Sequence, residues 1–166
     1  MTSYHGGKNR IGRDIAQVIY QVASEVERQT GVRFKGYVEP FCGMLGVYRH
    51  IPALFEGHRP PLKYQAGDIN ESVVKMWKAS QKGWVPPVKC TKKRFYELKG
   101  NGQSSAEKGF IGHACSYRST YFSTFFDKAN IKYASNQVIE TTKFVSDVKF
   151  SHGSYEQFSK IKGYII

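Results

Sequence analysis

The chain of 166 residues is long enough for one domain, or for one domain with an inserted lobe. Its 40% hydrophobic and 14% aromatic residues can bury a core, which argues against disorder along the whole length. Lysine and arginine number 25 against 13 acidic residues, and the formal net charge of +12 favours a polyanionic partner over a merely soluble basic protein.

The sequence shows neither the pattern of a secretory signal nor that of a membrane-spanning segment. The N-terminus lacks the apolar stretch of a secretory signal, and no run approaches the roughly 18 apolar residues of a membrane span. Cys42, Cys90 and Cys115 lie far apart in the sequence, which predicts free thiols, and the scattered histidines predict no metal site. We therefore expect a cytoplasmic protein, or one in the host cytoplasm if the chain is viral.

The first predicted element is a helix of about four turns, with aliphatic residues at helical spacing from position 11 to 26 and a stop at Gly31. Residues 36–38 predict a short buried strand that ends at Glu39. A helix over residues 44–51 is expected next, ended before Pro52.

A second strand is predicted over residues 62–66, ending at Asp68, with Asn70 or Ser72 as the cap of the next helix. Residues 89–132 are basic and aromatic and predict an insertion with a helix over residues 107–114. Further elements are then expected in chain order: strands at 138–139 and 145–150, a short helix at 155–160 and a last strand at 164–166.

The first predicted strand leads into a glycine turn. Gly43 and Gly46 permit a tight turn and close approach of a ligand to the backbone, beside the free N–H groups of a helix start. Two glycines do not make the three-glycine turn that holds a pyrophosphate, so a charged amino-acid tail suits this turn better. A purely structural turn is about as good an interpretation.

Two further segments extend this pattern. Asp68 lies near the distance from Gly43 at which an acidic side chain meets ribose hydroxyls, although it could simply end a strand. In the segment Tyr4-His5-Gly6-Gly7-Lys8 the glycines allow backbone to lie against a ligand, and Lys8 supplies a charge for a carboxylate; a basic tail is the alternative. Together the three segments favour a nucleoside-containing cofactor.

In this order and spacing the three segments resemble the Dam-like adenine-specific DNA methyltransferases, although Met44 and Leu45 stand between the glycines where the family has one residue. The resemblance implies a Rossmann-like α/β sheet that binds S-adenosylmethionine, and methyl transfer to the exocyclic amino group of adenine in double-stranded DNA. The cofactor-binding residues that it implies are Tyr4, Gly6, Gly7, Lys8, Glu39, Pro40, Phe41, Gly43, Gly46, Asp68, Ile69 and Asn70.

The resemblance also implies three regions: residues 1–84 as the first part of the cofactor-binding core, 85–132 as an inserted target-recognition lobe, and 133–166 as the return to the sheet. Basic side chains of the lobe are expected to contact DNA phosphates, and the aromatic run 122–126 to form a small core. A solvated face is an equally good interpretation of the lysines. The residues expected at DNA are Lys89, Lys92, Lys93, Arg94, Lys99 and Arg118, the last at base edges.

The family's catalytic Asp-Pro-Pro-Tyr motif has no counterpart in this sequence. In that motif a carboxylate and a proline carbonyl accept hydrogen bonds from the target amino group, and the aromatic ring stacks on a flipped adenine. Here the two Pro-Pro pairs follow Arg59 and Val85, so no catalytic residue is assigned. We expect an N-terminal fragment that lacks later strands and needs a complementing chain; the alternatives are a catalytically silent nucleic-acid-binding remnant and an RNA methyltransferase.

Overall fold

The computed structural model describes residues 7–166 and divides them into two units. Residues 8–69 and 147–166 form one, which we call the sheet unit. Gly7 and residues 70–146 belong to the other, the helical unit. The expected boundaries at residues 84 and 132 stay predictions.

Parallel strands form the core of the sheet unit in the order β3-β2-β1-β4. Their bounds are β1 Gly36–Glu39, β2 Lys63–Asp68, β3 Val148–His152 and β4 Tyr164–Ile165. Gly36 pairs with Lys63 on one side and with Tyr164 on the other. The chain therefore reverses its direction across the sheet beside β1, the place where open α/β sheets form a ligand crevice at the carboxyl ends of their strands. The α/β class is confirmed, and the topology is compatible with a Rossmann-like fold.

Helix α1, Gly12–Thr30, confirms the first predicted helix, and Gly31 ends it in the left-handed region with φ of 69°. Its buried residues are Gly12, Ala16, Ala23 and Glu27. Much of the aliphatic stripe, in contrast, faces outward. Ile15 and Ile19 are half-buried, and between 39% and 58% of each other member is exposed: Ile11, Val18, Val22 and Val26. Gly12 on the inner face lies so close to the loop after β1 that a Cβ there would stand 2.0 Å from the Gly46 carbonyl oxygen.

The helix predicted over residues 44–51 is wrong. Gly43 and Leu45 have φ of 43° and 54°, so a turn in the left-handed region replaces the helix start. A 3-10 helix follows at Tyr48–His50, and α2 spans Ile51–Leu54. Pro52 lies in the first turn of α2, where its missing N–H is not needed, and so it begins a helix where we expected it to end one.

The helical unit contains α3 Glu71–Ser80, α4 Lys92–Gly100, α5 Ala106–Ala114 and α6 Ile131–Thr142. A side-chain oxygen caps the start of each helix, contributed in turn by Asn70, Thr91, Ser105 and Asn130. The strand predicted at residues 138–139 is wrong, because α6 covers it and buries Ala134, Val138 and Thr141 along one face. None of the helices described in the two units is long and apolar enough to cross a membrane.

Aromatic side chains of residues 122–126 pack together with Phe95 in the helical unit, as expected for a small core. The ring of Phe95 on α4 lies 5.1 Å from that of Phe122 and 5.5 Å from that of Phe125, measured between centroids. Gly109 on α5 lies so close to α3 that a Cβ there would stand 2.1 Å from the carbonyl oxygen of Ser72. The helical unit is thus closely packed around these contacts.

Candidate cofactor site

The centre of the candidate site is a contact between the ends of β1 and β2. The Gly43 N–H donates a hydrogen bond to Asp68 Oδ2 at 2.9 Å, and the Cys42 N–H donates to the Gly67 carbonyl at 2.8 Å. From the loop after β3, the Gly153 N–H donates to the Asp68 carbonyl at 3.1 Å. The Gly43 N–H therefore holds the Asp68 carboxylate at the carboxyl edge of the sheet, and the other two bonds hold the main chain around it. Only 7% of Asp68 is exposed.

The turn also meets the segment that follows Gly7. A Cβ on Gly46 would lie 2.9 Å from the side-chain oxygen of Asn9 and 3.0 Å from its backbone nitrogen. Residues 43–46 and Asp68 therefore converge within the sheet unit with Lys8, the end of the first predicted segment, and with Asn9, which follows it and was not predicted. Lys8 and Gly7 are exposed, whereas Tyr4 and Gly6 lie outside the described residues.

Exposed apolar side chains follow three strands of the sheet: Phe41 after β1, Ile69 directly after β2 and Tyr155 after β3. Phe41 and Ile69 are 71% and 72% exposed, and the Phe41 ring lies 5.5 Å from that of Tyr155, which is itself 56% exposed. Large apolar surfaces of this kind can pack against a planar heterocycle. His152 Nε2 donates to the Ile69 carbonyl at 3.2 Å and fixes the backbone beside this surface.

Tyr155 and His152 were not among the predicted site residues. A signal was available, because a residue that follows the third strand of a parallel sheet reaches the same edge as residues that follow the first two. The sequence pattern predicts only a short helix at residues 155–160, and the structure has the 3-10 helix Tyr155–Phe158 there.

Glu39 is the acidic residue at the end of β1. Burial raises the pKa of its carboxyl to about 8, although the Tyr37 hydroxyl, 3.3 Å from Oε2, and the Tyr48 N–H both favour the charged form. A carboxyl that keeps its proton near neutral pH becomes negative when a cation approaches. Glu39 is therefore suited to an ammonium group.

We expect the free energy of unfolding to fall as the pH rises from about 4.5 to about 8. Over that range Glu39 keeps its proton in the native state but has released it in the unfolded chain. The unfolded state is therefore increasingly favoured as the pH rises, until the native carboxyl ionises as well. The variant Glu39→Gln should lack this dependence. The difference in free energy of unfolding between the variant and the wild type should therefore shift by a few kcal/mol in favour of the variant from about pH 5 to about pH 8.5. Urea unfolding at both values measures it, with exposed Glu56→Gln as the control. Equal pH dependence of the wild type and Glu39→Gln would contradict the assignment.

Two further predicted cofactor residues, Pro40 and Asn70, have positions that the fold alone explains. Pro40 is half-buried after β1. Asn70 belongs to the helical unit, where its side-chain oxygen accepts a hydrogen bond from the Ser72 N–H at 3.0 Å and caps α3. The capping role alone accounts for an asparagine at this position.

The residues expected at DNA are all exposed and all lie in the helical unit. Arg94 forms a two-point ion pair with Glu107, with Nε–Oε1 and Nη2–Oε2 distances of 2.9 and 2.5 Å. Lys99 donates to the Ser123 carbonyl at 2.9 Å, and the Arg118 guanidinium lies 5.4 Å from the ring centroid of Tyr117. Arg94 and Lys99 thus have partners within the protein.

A basic groove of about 700 Å³ lies between the residues before α4 and the start of α6. Lys89, Lys128 and Lys132 line it, together with Cys90 and Asp127. Neither α4 nor α6 has an acidic residue in its first turn, where acidic side chains usually favour the helix dipole. This groove gives the helical unit a concentration of positive charge that includes two lysines not selected from the sequence.

Two comparisons with known proteins found no match. No protein-family model matches the chain, and no curated protein matches it. Within residues 7–166, no three His, Cys, Asp or Glu side chains are grouped so that they could hold a metal ion.

Proposed function

We propose that this chain binds S-adenosylmethionine and forms part of a DNA adenine methyltransferase. The observation that carries the proposal is the hydrogen bond from Gly43 to the Asp68 carboxylate, which joins the glycine turn and the acidic strand end at one edge of the sheet. The ribose hydroxyls of the cofactor would donate to Asp68. Its adenine would pack against the exposed side chains of Phe41, Ile69 and Tyr155.

The amino-acid tail of the cofactor accounts for two further residues. Its ammonium group would bind Glu39, which then releases the proton that burial lets it keep. Its carboxylate would meet the exposed Lys8, next to the contact between Asn9 and Gly46. A phosphate chain has no ammonium to offer Glu39, and this favours S-adenosylmethionine over a nucleotide.

Methyl transfer needs a group that this sequence does not contain. The adenine amino nitrogen would attack the methyl carbon while the carbon–sulfur bond breaks towards sulfur. The methylated nitrogen would then lose one proton to solvent, and S-adenosylhomocysteine would leave as a neutral thioether. We propose that a second chain with an Asp-Pro-Pro-Tyr segment orients the amino group, while this chain holds the cofactor and part of the double-stranded DNA. Such an enzyme would act in the cytoplasm.

Calorimetric titration tests the cofactor assignment. We expect S-adenosylmethionine to bind with a dissociation constant of roughly 1–100 μM and ATP to bind at least tenfold more weakly, because ATP lacks the ammonium group. Proton release on binding should appear as a dependence of the heat on the ionisation enthalpy of the buffer. No detectable binding, or equal binding of the two ligands, would contradict the proposal.

A methylation assay on adenine-containing duplex DNA tests the need for a partner. We expect no turnover from this chain alone, and robust turnover would overturn the requirement for a second chain. DNA binding without cofactor binding would identify the alternative, a catalytically silent nucleic-acid-binding remnant. Preference for RNA in competition would indicate an RNA methyltransferase.

Replacing Lys92 and Lys93 with alanine is expected to weaken the salt dependence of DNA binding. The slope of log K against the logarithm of the salt concentration should become less negative by roughly two. Both lysines are exposed in the first turn of α4, and each phosphate that they neutralise releases condensed counterions. Lys143→Ala is the control, because that lysine pairs with Glu140 at 2.7 Å on the last turn of α6. An unchanged slope in the double variant would remove α4 from the DNA surface.

A further inference from the structure

The basic groove of the helical unit joins two stretches of chain that are far apart in the sequence. It is lined by residues 88–91, which precede α4, and by residues 127–132, which run into the first turn of α6. Lys89 comes from the first stretch, and Lys128 and Lys132 come from the second. The fold therefore gathers three lysines around a space of about 700 Å³, a group that sequence spacing alone could not indicate.

The lysines of this groove have little negative charge beside them. All three are exposed, and within the part of the chain that the structure describes none of them forms an ion pair. Of the described residues that line the groove, Asp127 alone is acidic. Three ammonium groups therefore share the groove with a single carboxylate, and a surplus of positive charge remains.

The other acidic side chains of the helical unit are engaged elsewhere. Residues 70–146 contain thirteen lysines and arginines and five acidic residues, so they carry +8 of the formal net charge of +12. Four of the acidic residues pair with basic residues that do not line the groove; the pairs are Glu71–Lys75, Glu97–Arg94, Glu107–Arg94 and Glu140–Lys143. These carboxylates compensate charge outside the groove, and the groove lysines are left with Asp127.

We propose that this groove holds the phosphate backbone of one strand of double-stranded DNA, with Lys128 and Lys132 as additional contacts. The proposal rests on the DNA-binding part of the proposed function and names the surface that performs it. Phosphates recur every 3.4 Å or so along the axis of one strand, so a short stretch can meet several lysines, and each contact releases condensed counterions. Arg94 and Lys99 have partners within the protein and lie outside this contact.

Cys90 reports directly on the groove, because it lines the groove and is partly exposed. The test is labelling of the full chain with N-ethylmaleimide, with and without duplex DNA, followed by peptide mapping. Burial raises the pKa of the Cys90 thiol, so the labelling is done at mildly alkaline pH. A saturating duplex at low salt should slow it roughly tenfold or more. Cys42 and Cys115, 2% and 0% exposed, should stay unlabelled in both samples.

Two further ligands identify what occupies the groove. A duplex of G·C pairs alone should protect Cys90 as well as an adenine-containing duplex does, because phosphate contacts carry no sequence information. Polyglutamate of matched charge should protect it roughly tenfold less well. Protection that requires adenine would overturn the backbone contact, and equal protection by polyglutamate would replace DNA with an acidic protein as the occupant.

Two double variants separate the groove from the overall charge. Lys128→Ala with Lys132→Ala should make the slope of log K against the logarithm of the salt concentration less negative by roughly two, and should remove most of the protection of Cys90. Lys78→Ala with Lys82→Ala is the matched control, because these lysines are exposed in the same unit and do not line the groove. The control removes the same charge and should change the slope by less than about 0.5.

Thermal unfolding reports whether each variant is folded. An unprotected Cys90 in the wild type, or equal changes of slope in the two double variants, would overturn the groove as the DNA surface. Calorimetry with S-adenosylmethionine tests the cofactor assignment separately, so that assignment would stand after such a failure. Protection of Cys90 without binding of S-adenosylmethionine would support the groove and overturn the methyltransferase.

Discussion

Asp68→Asn is expected to weaken S-adenosylmethionine binding about 100-fold while the protein stays folded. Asparagine has the same size, and its amide oxygen can still accept the hydrogen bond from the Gly43 N–H. The variant loses the negative charge that two ribose hydroxyls would share. Hydrogen bonds to a charged group contribute about 1.5–3 kcal/mol each, so the loss of roughly 3 kcal/mol corresponds to the stated factor.

Calorimetric titration measures this effect, and thermal unfolding reports whether the variant is folded. Asp147→Asn is the matched control, because Asp147 is an exposed aspartate of the same unit and follows α6 rather than a strand end at the site. Its affinity should stay within about twofold of the wild type. Equal losses in both variants, or wild-type binding by Asp68→Asn, would remove Asp68 from the cofactor site.

Gly12→Ala should destabilise the sheet unit by about 2–3 kcal/mol. Alanine inside an exposed helix normally gains about 1 kcal/mol over glycine, so helix propensity alone predicts the opposite sign. At this position a Cβ would lie 2.0 Å from the carbonyl oxygen of Gly46. The position of a Cβ is fixed by the backbone of α1, and the oxygen belongs to the backbone of the turn. Either α1 or the turn must therefore shift, and overpacking of this kind costs about 1–3 kcal/mol.

Urea unfolding of Gly12→Ala gives the free energy directly, with Gly57→Ala as the control. A Cβ on Gly57 meets nothing within 4 Å, so its alanine variant should stay within about 0.5 kcal/mol of the wild type. Since the turn that moves also carries Gly43, the Gly12 variant should lose cofactor affinity as well. A Gly12 variant as stable as the Gly57 variant would show that α1 does not press on the turn.

Features set by neighbouring residues were foreseeable from the sequence. The first, second and last strands, the stop at Gly31 and the capping by Asn70 follow from local patterns, and the structure has all of them. The approach of Gly43 to Asp68 was also predictable, because residues that follow neighbouring parallel strands reach one edge.

Features set by packing were not foreseeable. The aliphatic stripe of α1 satisfies the rule for a core-facing helix, yet the close contact with Gly46 requires the small residues to face inward. Val138 and Ile139 favour strands by propensity, and the Asn130 cap and one buried helix face outweigh this. Helix α4 was not predicted at all, although Thr91 is a suitable cap for it.

The outward stripe of α1 bears on how the protein behaves in concentrated solution. An exposed aliphatic ridge about 22 Å long runs along α1 and consists of Ile11, Val18, Val22 and Val26. Such an apolar surface can associate with the same surface of another copy of the protein. Mutual repulsion from a formal net charge of +12 keeps such molecules apart at low ionic strength. Added salt screens this repulsion and leaves the apolar attraction in place, so solubility should fall, and light scattering rise, as sodium sulfate is added.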